Sequence, residues 1–332
     1  MKKIIALTLF FAILATSLLS CGPSKKSEEN APIRIGYMAG PTGMGMAKLI
    51  HDNGGLENGN DKYTFTKYAD TAAAKADLAA GKIDLICLPT NEAAAYFSKV
   101  SENIQVLAVN CLNSLYLLTD KNSDVTSLSD LNGQTVYTCK NGTPRAVLEY
   151  VINALNLDIT VSYTFEDKEI VTPADLSPLV VAGKLPNALM PEPLVTSALL
   201  SIAKNGNTDI SYSVDINMTN EWNKVCNTPV VMGCIVGRKD YVEANKDKID
   251  AFLAEYKSSI DYISAPANID SAANYVVETG VMAAAPAAKK ALTNLGGAIA
   301  YIDGADMKNS LVAFYNAIGV ASLPSDDFYY EK

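Results

Sequence analysis

Histidine and tryptophan are nearly absent from this chain of 332 residues, which contains one of each, His51 and Trp222. A single histidine excludes a metal site built from several histidines, and it disfavours a Ser-His-Asp hydrolase. Basic residues are also scarce: 27 lysines and arginines stand against 36 acids, and the net charge of −9 argues against nucleic-acid binding. Hydrophobic residues make up 49% of the chain, enough for a sizeable core, and the length suggests about two domains.

The first 20 residues are typical of a secretory signal rather than of a fold element. Two lysines precede an apolar run that is short for a membrane span of about 20 residues. Cys21 then follows a Leu-Leu-Ser sequence, and the polar residues after it are expected to form a flexible tether. The pattern resembles the lipobox of bacterial lipoproteins, which implies that Cys21 becomes the lipidated first residue of the mature chain. We predict a signal peptide over 1–20 and a tether over 21–32; the alternative is an ordinary signal peptide with an incidental cysteine.

Five cysteines remain beyond the signal segment, an odd number that leaves at least one unpaired within the chain. They are too scattered in sequence for a metal cluster. Cys87 lies inside an apolar run and is expected to be a small buried hydrophobe. We consider one disulfide, Cys111–Cys234, because both residues fall on the strands that we assign to the connection between two lobes.

Short apolar runs alternate with helical patterns from residue 33 onward. The pattern predicts strands over 33–38, 63–68 and 83–88, and helices over 43–50, 71–80 and 91–100. Such alternation indicates βαβ units and a mostly parallel sheet. The pattern returns about 100 residues later, where Ala182-Gly183-Lys184 repeats Ala80-Gly81-Lys82 and a proline follows each glycine at the same distance. We therefore predict an α/β fold with two βαβαβ lobes of one design.

Two further apolar stretches connect the repeats. Residues 105–118 are interpreted as a strand that leaves the first lobe, and residues 229–238 as a strand that returns to it. Two crossing strands between two α/β lobes predict a hinge with a cleft between the lobes. We assign 33–112 with 235–332 to lobe 1 and 113–234 to lobe 2. The C-terminal part is predicted to be helical, over 241–263, 269–278, 286–295 and 305–318.

The combined pattern resembles the bacterial solute-binding lipoproteins that serve ABC importers, within the nitrate/taurine/sulfonate and thiamine-precursor group. The resemblance covers roughly 33–320 and rests on IRIGY at 33–37, AGKID at 80–84, SDLNGQTV at 129–136, and AGK at 182–184 followed by MPEP at 190–193. One strand departs from the family pattern: it reads Pro186-Asn187-Ala188 where the family usually has an Asp-Ala pair.

The resemblance implies a fold of the periplasmic-binding-protein type II. It also implies a small-molecule ligand, an ABC permease as partner, and attachment to the membrane through the lipid alone. The expected location is the extracytoplasmic face of the cell envelope, and the expected state is a monomer.

Candidate ligand-binding residues follow from the position of the loops, because ligands of open α/β sheets bind beyond the carboxyl ends of the strands. Lobe 1 offers Gly40, Pro41, Thr42, Gly43, Met44, Asp70, Thr71, Pro89, Thr90, Asn91 and Asn113. Lobe 2 offers Lys140, Asn141, Gly142, Thr143 and Glu192. Thr42 and Thr143 occupy matching positions in the repeat, and each is expected to lie where a helix starts. The glycines are equally compatible with a plain turn, Asp70 with a helix N-cap, and Glu192 with an acid at a helix N-terminus.

Convergent polar loops and a hinge are typical of a binding protein, whereas no combination of nucleophile, base and metal ligands emerges for an enzyme. We expect no catalytic residue, no cofactor and no metal. The alternatives are a same-fold enzyme, of the menaquinone-pathway or the thiamine-pyrimidine type, and an extracellular sensor domain. Lys140 and Arg145 are the basic residues that the candidate loops supply, and Glu192 opposes them. A neutral or aromatic heterocycle therefore fits this site better than nitrate or a sulfonate.

Overall fold

Two large β-sheets, of six and five strands, organise the chain, and each is covered by helices; a separate two-stranded sheet adds to them. The computed structural model describes residues 31–58, 60–206 and 208–331. The predicted signal peptide, Cys21 and the tether up to residue 30 lie outside the described residues.

The strands follow the predicted pattern closely in the two repeats. In chain order they are β1 (Ile33–Met38), β2 (Tyr63–Tyr68), β3 (Leu85–Pro89), β4 (Ile104–Leu112), β5 (Leu115–Asp120), β6 (Thr135–Tyr137), β7 (Thr160–Ser162), β8 (Thr164–Phe165), β9 (Lys168–Glu169), β10 (Asn187–Pro191), β11 (Tyr212–Asn217), β12 (Val231–Arg238) and β13 (Ile299–Ile302). The strands β9, β11 and β13 were not predicted.

The helices are α1 (Pro41–Met44), α2 (Ala47–Asp52), α3 (Gly55–Asn58), α4 (Thr71–Ala79), α5 (Thr90–Lys99), α6 (Thr143–Ala154), α7 (Pro173–Val181), α8 (Leu194–Asn205), α9 (Met218–Asn223), α10 (Lys239–Ala244), α11 (Lys246–Ser264), α12 (Ile269–Glu278), α13 (Ala285–Leu295) and α14 (Gly304–Ala317). Short 3₁₀ turns lie at Leu128–Leu131, Pro266–Asn268 and Asp326–Phe328.

The two sheets repeat one arrangement. Sheet 1 has the strand order β13-β4-β12-β3-β1-β2, and sheet 2 has the order β11-β5-β10-β6-β7. In sheet 1, β1 lies between β2 and β3 and is parallel to both, and β12 pairs antiparallel with β3. In sheet 2, β6 is likewise parallel to β7 and β10, and β5 pairs antiparallel with β10. The predicted α/β fold class, with two units of one design, is confirmed.

The chain passes between the sheets at the two apolar stretches that the sequence singles out. β4 lies in sheet 1 and β5 in sheet 2, so the first stretch forms two strands separated at Asn113 and Ser114. Asn113 has a positive φ of 41°, its N–H donates to the Val230 carbonyl at 3.0 Å, and its Oδ1 accepts from the Val230 N–H at 3.1 Å. The two crossovers therefore lie side by side and are joined by hydrogen bonds.

The predicted helix over 43–50 is divided, because a side chain from another helix enters between its turns. Ser259 of α11 donates to the Gly45 carbonyl at 2.7 Å and accepts from the Leu49 N–H at 3.0 Å. α1 consequently ends at Met44, and α2 begins at Ala47. The predicted helix over 241–263 is similarly divided at Asn245, whose side chain donates to the Tyr241 carbonyl at 2.8 Å.

Trp222 is fully buried and joins helices from both units. Its indole N–H donates to the Thr228 carbonyl at 2.6 Å. Its ring centroid lies 4.9 Å from that of Tyr150 in α6 and 5.6 Å from that of Phe314 in α14. The single tryptophan is therefore a packing residue of the core.

The considered disulfide between Cys111 and Cys234 is wrong, since both thiols are free. The register explains this result: Cys111 lies opposite Gly233 in the β4–β12 pair, whereas Cys234 lies opposite Val109. Cys87 is fully buried, as expected. Within the described part of the chain, the helices all fall short of the length and apolar character that crossing a membrane requires.

Candidate functional site

The N-terminal ends of two helices meet between the sheets. α5 follows β3 of sheet 1, and α6 follows β6 of sheet 2. The hydroxyl of Thr143, at the start of α6, donates to Oδ1 of Asn91, in the first turn of α5, at 3.2 Å. Thr143 is buried, and Asn91 is half-buried. Two candidate residues are thus brought together, and each lies on a helix that follows the carboxyl end of a parallel strand, one strand in each sheet.

The glycine loop after β1 contributes less to the site than its sequence suggests. α1 has four residues, so it does not present the extended helix N-terminus that we expected at Thr42. Pro41 is its first residue and Gly40 its N-cap. A Cβ on Gly43 would collide with the Met38 carbonyl oxygen, and Met44 is fully buried. Gly43 and Met44 therefore serve packing, and Thr42 remains the half-buried polar side chain of this loop.

Thr42 and a polar residue that the sequence did not single out as a candidate, Asn110, both lie against Gly233. A Cβ on Gly233 would come within 2.5 Å of Thr42 Cγ2 and 2.8 Å of Asn110 Oδ1, so both side chains pack closely against Gly233. Asn110 is fully buried near the carboxyl end of β4 and donates to the Tyr256 hydroxyl at 3.0 Å. Its Oδ1 is without a hydrogen-bond partner in the described structure. Asn110 could have been found in the sequence as an asparagine that interrupts an apolar strand near the carboxyl end of that strand.

In the second lobe-1 loop, the polar side chains of Asp70 and Thr71 already form hydrogen bonds within the protein. Asp70 is exposed and caps α4 by accepting the Ala73 N–H at 2.8 Å, which is the helix-capping alternative. The Thr71 hydroxyl donates to Glu92 Oε2 at 2.7 Å, and Lys75 Nζ donates to the same oxygen at 2.7 Å. We expected the Thr71 hydroxyl to bond to a ligand, but in the structure it bonds to Glu92.

The remaining lobe-1 candidates have structural roles: their side chains bond to backbone groups, or they end a strand. Thr90 is buried, and its hydroxyl donates to the Val231 carbonyl at 2.5 Å. Pro89 ends β3 and precedes α5 as its N-cap. Asn113 joins the two crossovers through Val230. The expectation that Thr90 and Asn113 present free side chains to a ligand is not supported, because both side chains bond to the backbone of the second crossover.

The lobe-2 loop after β6 forms a tight turn into α6. Gly142 is the N-cap of α6 at φ 93°, a left-handed conformation that glycine adopts without strain. Asn141 is exposed, and its carbonyl accepts from the Cys139 thiol at 2.9 Å. Lys140 is exposed and pairs with Glu169 at 2.6 Å. Lys140 is therefore neutralised within its own lobe. Thr138, just before this loop, is fully buried, and its hydroxyl is unpaired among the described residues.

Glu192 is buried beyond the end of β10, with 1% of its surface exposed. Its carboxylate accepts from the Thr196 N–H at 3.1 Å, from the Thr196 hydroxyl at 2.9 Å, and from Nδ2 of Asn294 at 2.7 Å. Burial raises the pKa of Glu192, and the hydrogen bonds from Asn294 and Thr196 oppose that shift. The carboxylate bonds to α8, as the helix-terminus alternative proposed, and also to the end of α13.

The thiols near the site are poor nucleophiles. Burial raises the pKa of Cys87, Cys111 and Cys139 to about 12 in each case. At neutral pH they are protonated, whereas reactive cysteines need a lowered pKa. His51 is exposed on α2, where its Nδ1 lies 2.7 Å from Glu278. A search of the described ranges for three or more clustered metal-ligating side chains finds none.

A surface depression of about 300 Å³ lies elsewhere, beside α2 and α11. Its charged lining residues are Lys48, Asp52, Lys62 and Glu255. They form the pairs Lys48–Asp52 and Lys62–Glu255 across 2.6 and 3.0 Å. None of the candidate residues lines it, and charges that already pair with one another leave little for a ligand.

Comparison with known proteins identifies one family and several similar structures. The family model described as NMT1/THI5 like matches residues 64–268. A search among curated proteins gives no match. Three solved structures that resemble this one are each under 20% identical to it and therefore show the fold.

One is an ABC transporter from Parabacteroides distasonis, with 19% identity over 91% of this chain and 99% of that chain, at a TM-score of 0.70. A second is the periplasmic aliphatic sulphonate binding protein SsuA from Escherichia coli, with 18% identity over 90% and 92% of the two chains and a TM-score of 0.66. A third is the periplasmic nitrate-binding protein NrtA from Synechocystis PCC 6803, with 14% identity over 84% and 76% and a TM-score of 0.60.

Proposed function

The chain belongs to the NMT1/THI5-like family, and on that premise we propose that it is an extracytoplasmic solute-binding protein of an ABC importer. It captures a small organic molecule in the cleft between the two sheets and delivers it to a permease. The observation that carries the proposal is the Thr143–Asn91 hydrogen bond, because it joins the starts of two helices at the carboxyl ends of parallel strands from both sheets. The similar structures, which are those of an ABC transporter, a sulphonate-binding protein and a nitrate-binding protein, agree with it.

The proposed lobes are 33–112 with 235–332, and 113–234. Each contains one sheet, apart from the first residues of β12, and the paired crossovers at Asn113 and Val230 form the hinge between them. A ligand that touches both lobes makes most of its contacts in the closed form, so it shifts the population toward closure. The residues proposed to touch it are Thr42, Asn91, Asn141, Gly142 and Thr143, with Asn110 added from the structure.

The proposed ligand is neutral or an aromatic heterocycle rather than a sulfonate or nitrate. Three basic side chains near the candidate loops are already paired with acids: Lys140 with Glu169, Arg145 with Glu149 and Lys75 with Glu92, at 2.6–2.7 Å. An anion would have to compete with these carboxylates, whereas a neutral ligand uses the hydroxyl and amide groups of the cleft. The protein is proposed to work as a monomer, without nucleic acid.

A lipid on Cys21 is the proposed attachment to the membrane, and the soluble body is proposed to lie on the extracytoplasmic face. A binding role without catalysis is supported by the raised pKa of the buried thiols and by the pairing of His51 with Glu278. The sensor and enzyme alternatives make different predictions: an enzyme converts its bound ligand, and a sensor works without a permease.

A thermal-shift screen of the purified protein tests the proposal. The panel contains vitamins, pyrimidines, amino acids, sulfonates and nitrate, each over a range of concentrations. We expect a saturable rise in melting temperature with a neutral or heterocyclic compound, which is recovered unchanged after incubation. Chemical conversion of the compound would favour the enzyme alternative. A rise with nitrate or sulfonates alone would overturn the ligand class but not the binding role.

A further inference from the structure

One exposed residue at the end of α13 makes hydrogen bonds to three residues of the other unit. Nδ2 of Asn294 donates to Glu192 Oε1 at 2.7 Å and to the Thr196 hydroxyl oxygen at 3.2 Å. The Asn294 carbonyl accepts from the Tyr116 hydroxyl at 2.6 Å. We name these four residues, Asn294, Glu192, Thr196 and Tyr116, the interlobe latch.

The two sides of the latch are anchored in different cores. α13 packs through Ala288, Ala291 and Leu295 into the core that contains β1. Val195, beside Glu192, packs into the core of sheet 2, and Tyr116 of β5 lies against the same core. If one lobe moves relative to the other, Asn294 therefore moves away from the other three residues, and the hydrogen bonds of the latch break.

The hydrogen-bond acceptor at the centre of the latch is the buried carboxylate of Glu192. Glu192 is almost fully buried, and hydrogen bonds to a charged group are stronger than those between neutral groups. The Thr196 hydroxyl donates to Glu192 and accepts from Asn294, so the three side chains form a closed triangle. Without Asn294, Oε1 keeps the Thr196 hydroxyl but loses the donor that comes from the other lobe.

We infer that Asn294 is a positioning residue for ligand capture, which holds the closed form together before any ligand is bound. The ligand part of this inference rests on the proposed function, whereas the effect on lobe closure does not. A ligand that binds the closed form has an apparent affinity reduced by the fraction of molecules that are closed. Losing the latch should therefore weaken every ligand by the same factor, whatever its chemistry.

The experiment measures the distance between α13 and α8 by pulsed electron paramagnetic resonance in the absence of ligand. Spin labels are attached to Lys289→Cys and Ser201→Cys, two exposed positions, in a full chain that also carries Cys21→Ser and Cys226→Ser. The other cysteines are buried. We expect a short-distance population in this reference protein. Asn294→Ala should shift the equilibrium toward a longer distance by about tenfold or more, the effect of losing a hydrogen bond to a charged group.

Two further variants keep the result interpretable. Tyr116→Phe removes one latch bond from the other side and should lengthen the distance in part, even if Asn294→Ala does not fold. Thr293→Val is the matched control, because the Thr293 hydroxyl bonds to the Lys289 carbonyl of its own helix. Unchanged distances in both latch variants, or an equal change in Thr293→Val, would overturn the inference. Because no ligand is present, a latch that behaves as expected in a protein that binds no small molecule would refute the proposed function alone.

Discussion

The Thr143 hydroxyl and the Asn91 side chain are hydrogen-bonded across the space between the two sheets, at 3.2 Å. We expect this pair, at the starts of α6 and α5, to be the place where both lobes contact one small molecule. A closed ligand complex would use the same groups, with the ligand taking one or both partners.

Substituting Thr143 by valine should weaken ligand binding while leaving the fold intact. The change keeps the shape of the side chain and removes one donor, which is worth roughly 0.5–1.5 kcal/mol net, or about two- to tenfold in affinity. Calorimetric titration with the compound from the thermal-shift screen measures the change. Thr160→Val, on the far strand β7 and exposed, is the matched control and should bind as the wild type does. If both variants bind the compound with equal affinity, Thr143 does not contact the ligand.

The charge on Glu192 should make the protein less stable as pH rises. Burial raises the native pKa of this carboxyl above its ordinary 4.5, so the native state holds the proton more strongly than the unfolded chain does. Stability therefore falls as pH rises from 4.5 through the native pKa. Glu192→Gln lacks this loss, so the melting temperature of this variant should rise relative to that of the wild type as pH increases above 4.5.

The control for this titration is Glu166→Gln, at an exposed turn residue, which should show no such trend. A gap between wild type and Glu192→Gln that stays constant or narrows with rising pH would contradict the buried, ionisable Glu192.

Asp84 should be important for folding and unimportant for ligand affinity. It is almost fully buried just before β3, at the amino end of that strand, and accepts from the Arg34 N–H, from Arg34 Nε at 2.9 Å and from the second guanidinium nitrogen at 2.5 Å. Asp84→Asn leaves Arg34 without its counter-ion and should cost about 3 kcal/mol of unfolding free energy, the low end for a broken buried pair because the Arg34 side chain is 41% exposed.

Denaturant unfolding measures this loss, and Lys257→Ala provides the comparison. The Lys257–Asp261 pair is exposed on both sides and should contribute little. A similar loss in the two variants would show that the Asp84–Arg34 pair has no special role.

The lipid anchor is tested by fractionation of cells that express the full chain. Cys21→Ser should move the protein from the membrane fraction to the soluble fraction, because the apolar run before it is too short to replace a membrane span. Retention of Cys21→Ser in the membrane at the wild-type level would contradict lipidation at this residue.

Much of the fold is predictable from periodicity and from the internal repeat. The strands at 33–38 and 63–68 and the helix at 269–278 have the predicted bounds, because apolar spacing and turn residues agree locally. The division between α1 and α2 was not predictable, since it depends on Ser259, a residue more than 200 positions away. β13 was missed because its short, alanine-containing sequence follows two glycines and becomes a strand by pairing with β4.

The site was harder to predict than the fold, for a physical reason. Sequence position indicates which loops reach the carboxyl edge of a sheet, but not which of their polar groups the protein itself uses. Thr90 and Asn113 are bonded to the backbone of the returning crossover, and Glu192 to Asn294, a residue of the other lobe. Asn110 was missed because a buried asparagine in an apolar strand resembles a simple interruption of that strand.

The central claim, that one small molecule is held between the two lobes, is tested most directly by hydrogen–deuterium exchange with and without the compound from the thermal-shift screen. The account predicts slower exchange in peptides from both lobes, around Thr42 and Asn91 on one side and around Asn141 and Thr143 on the other. Slower exchange confined to one lobe, or to the depression beside Lys62 and Glu255, would contradict it.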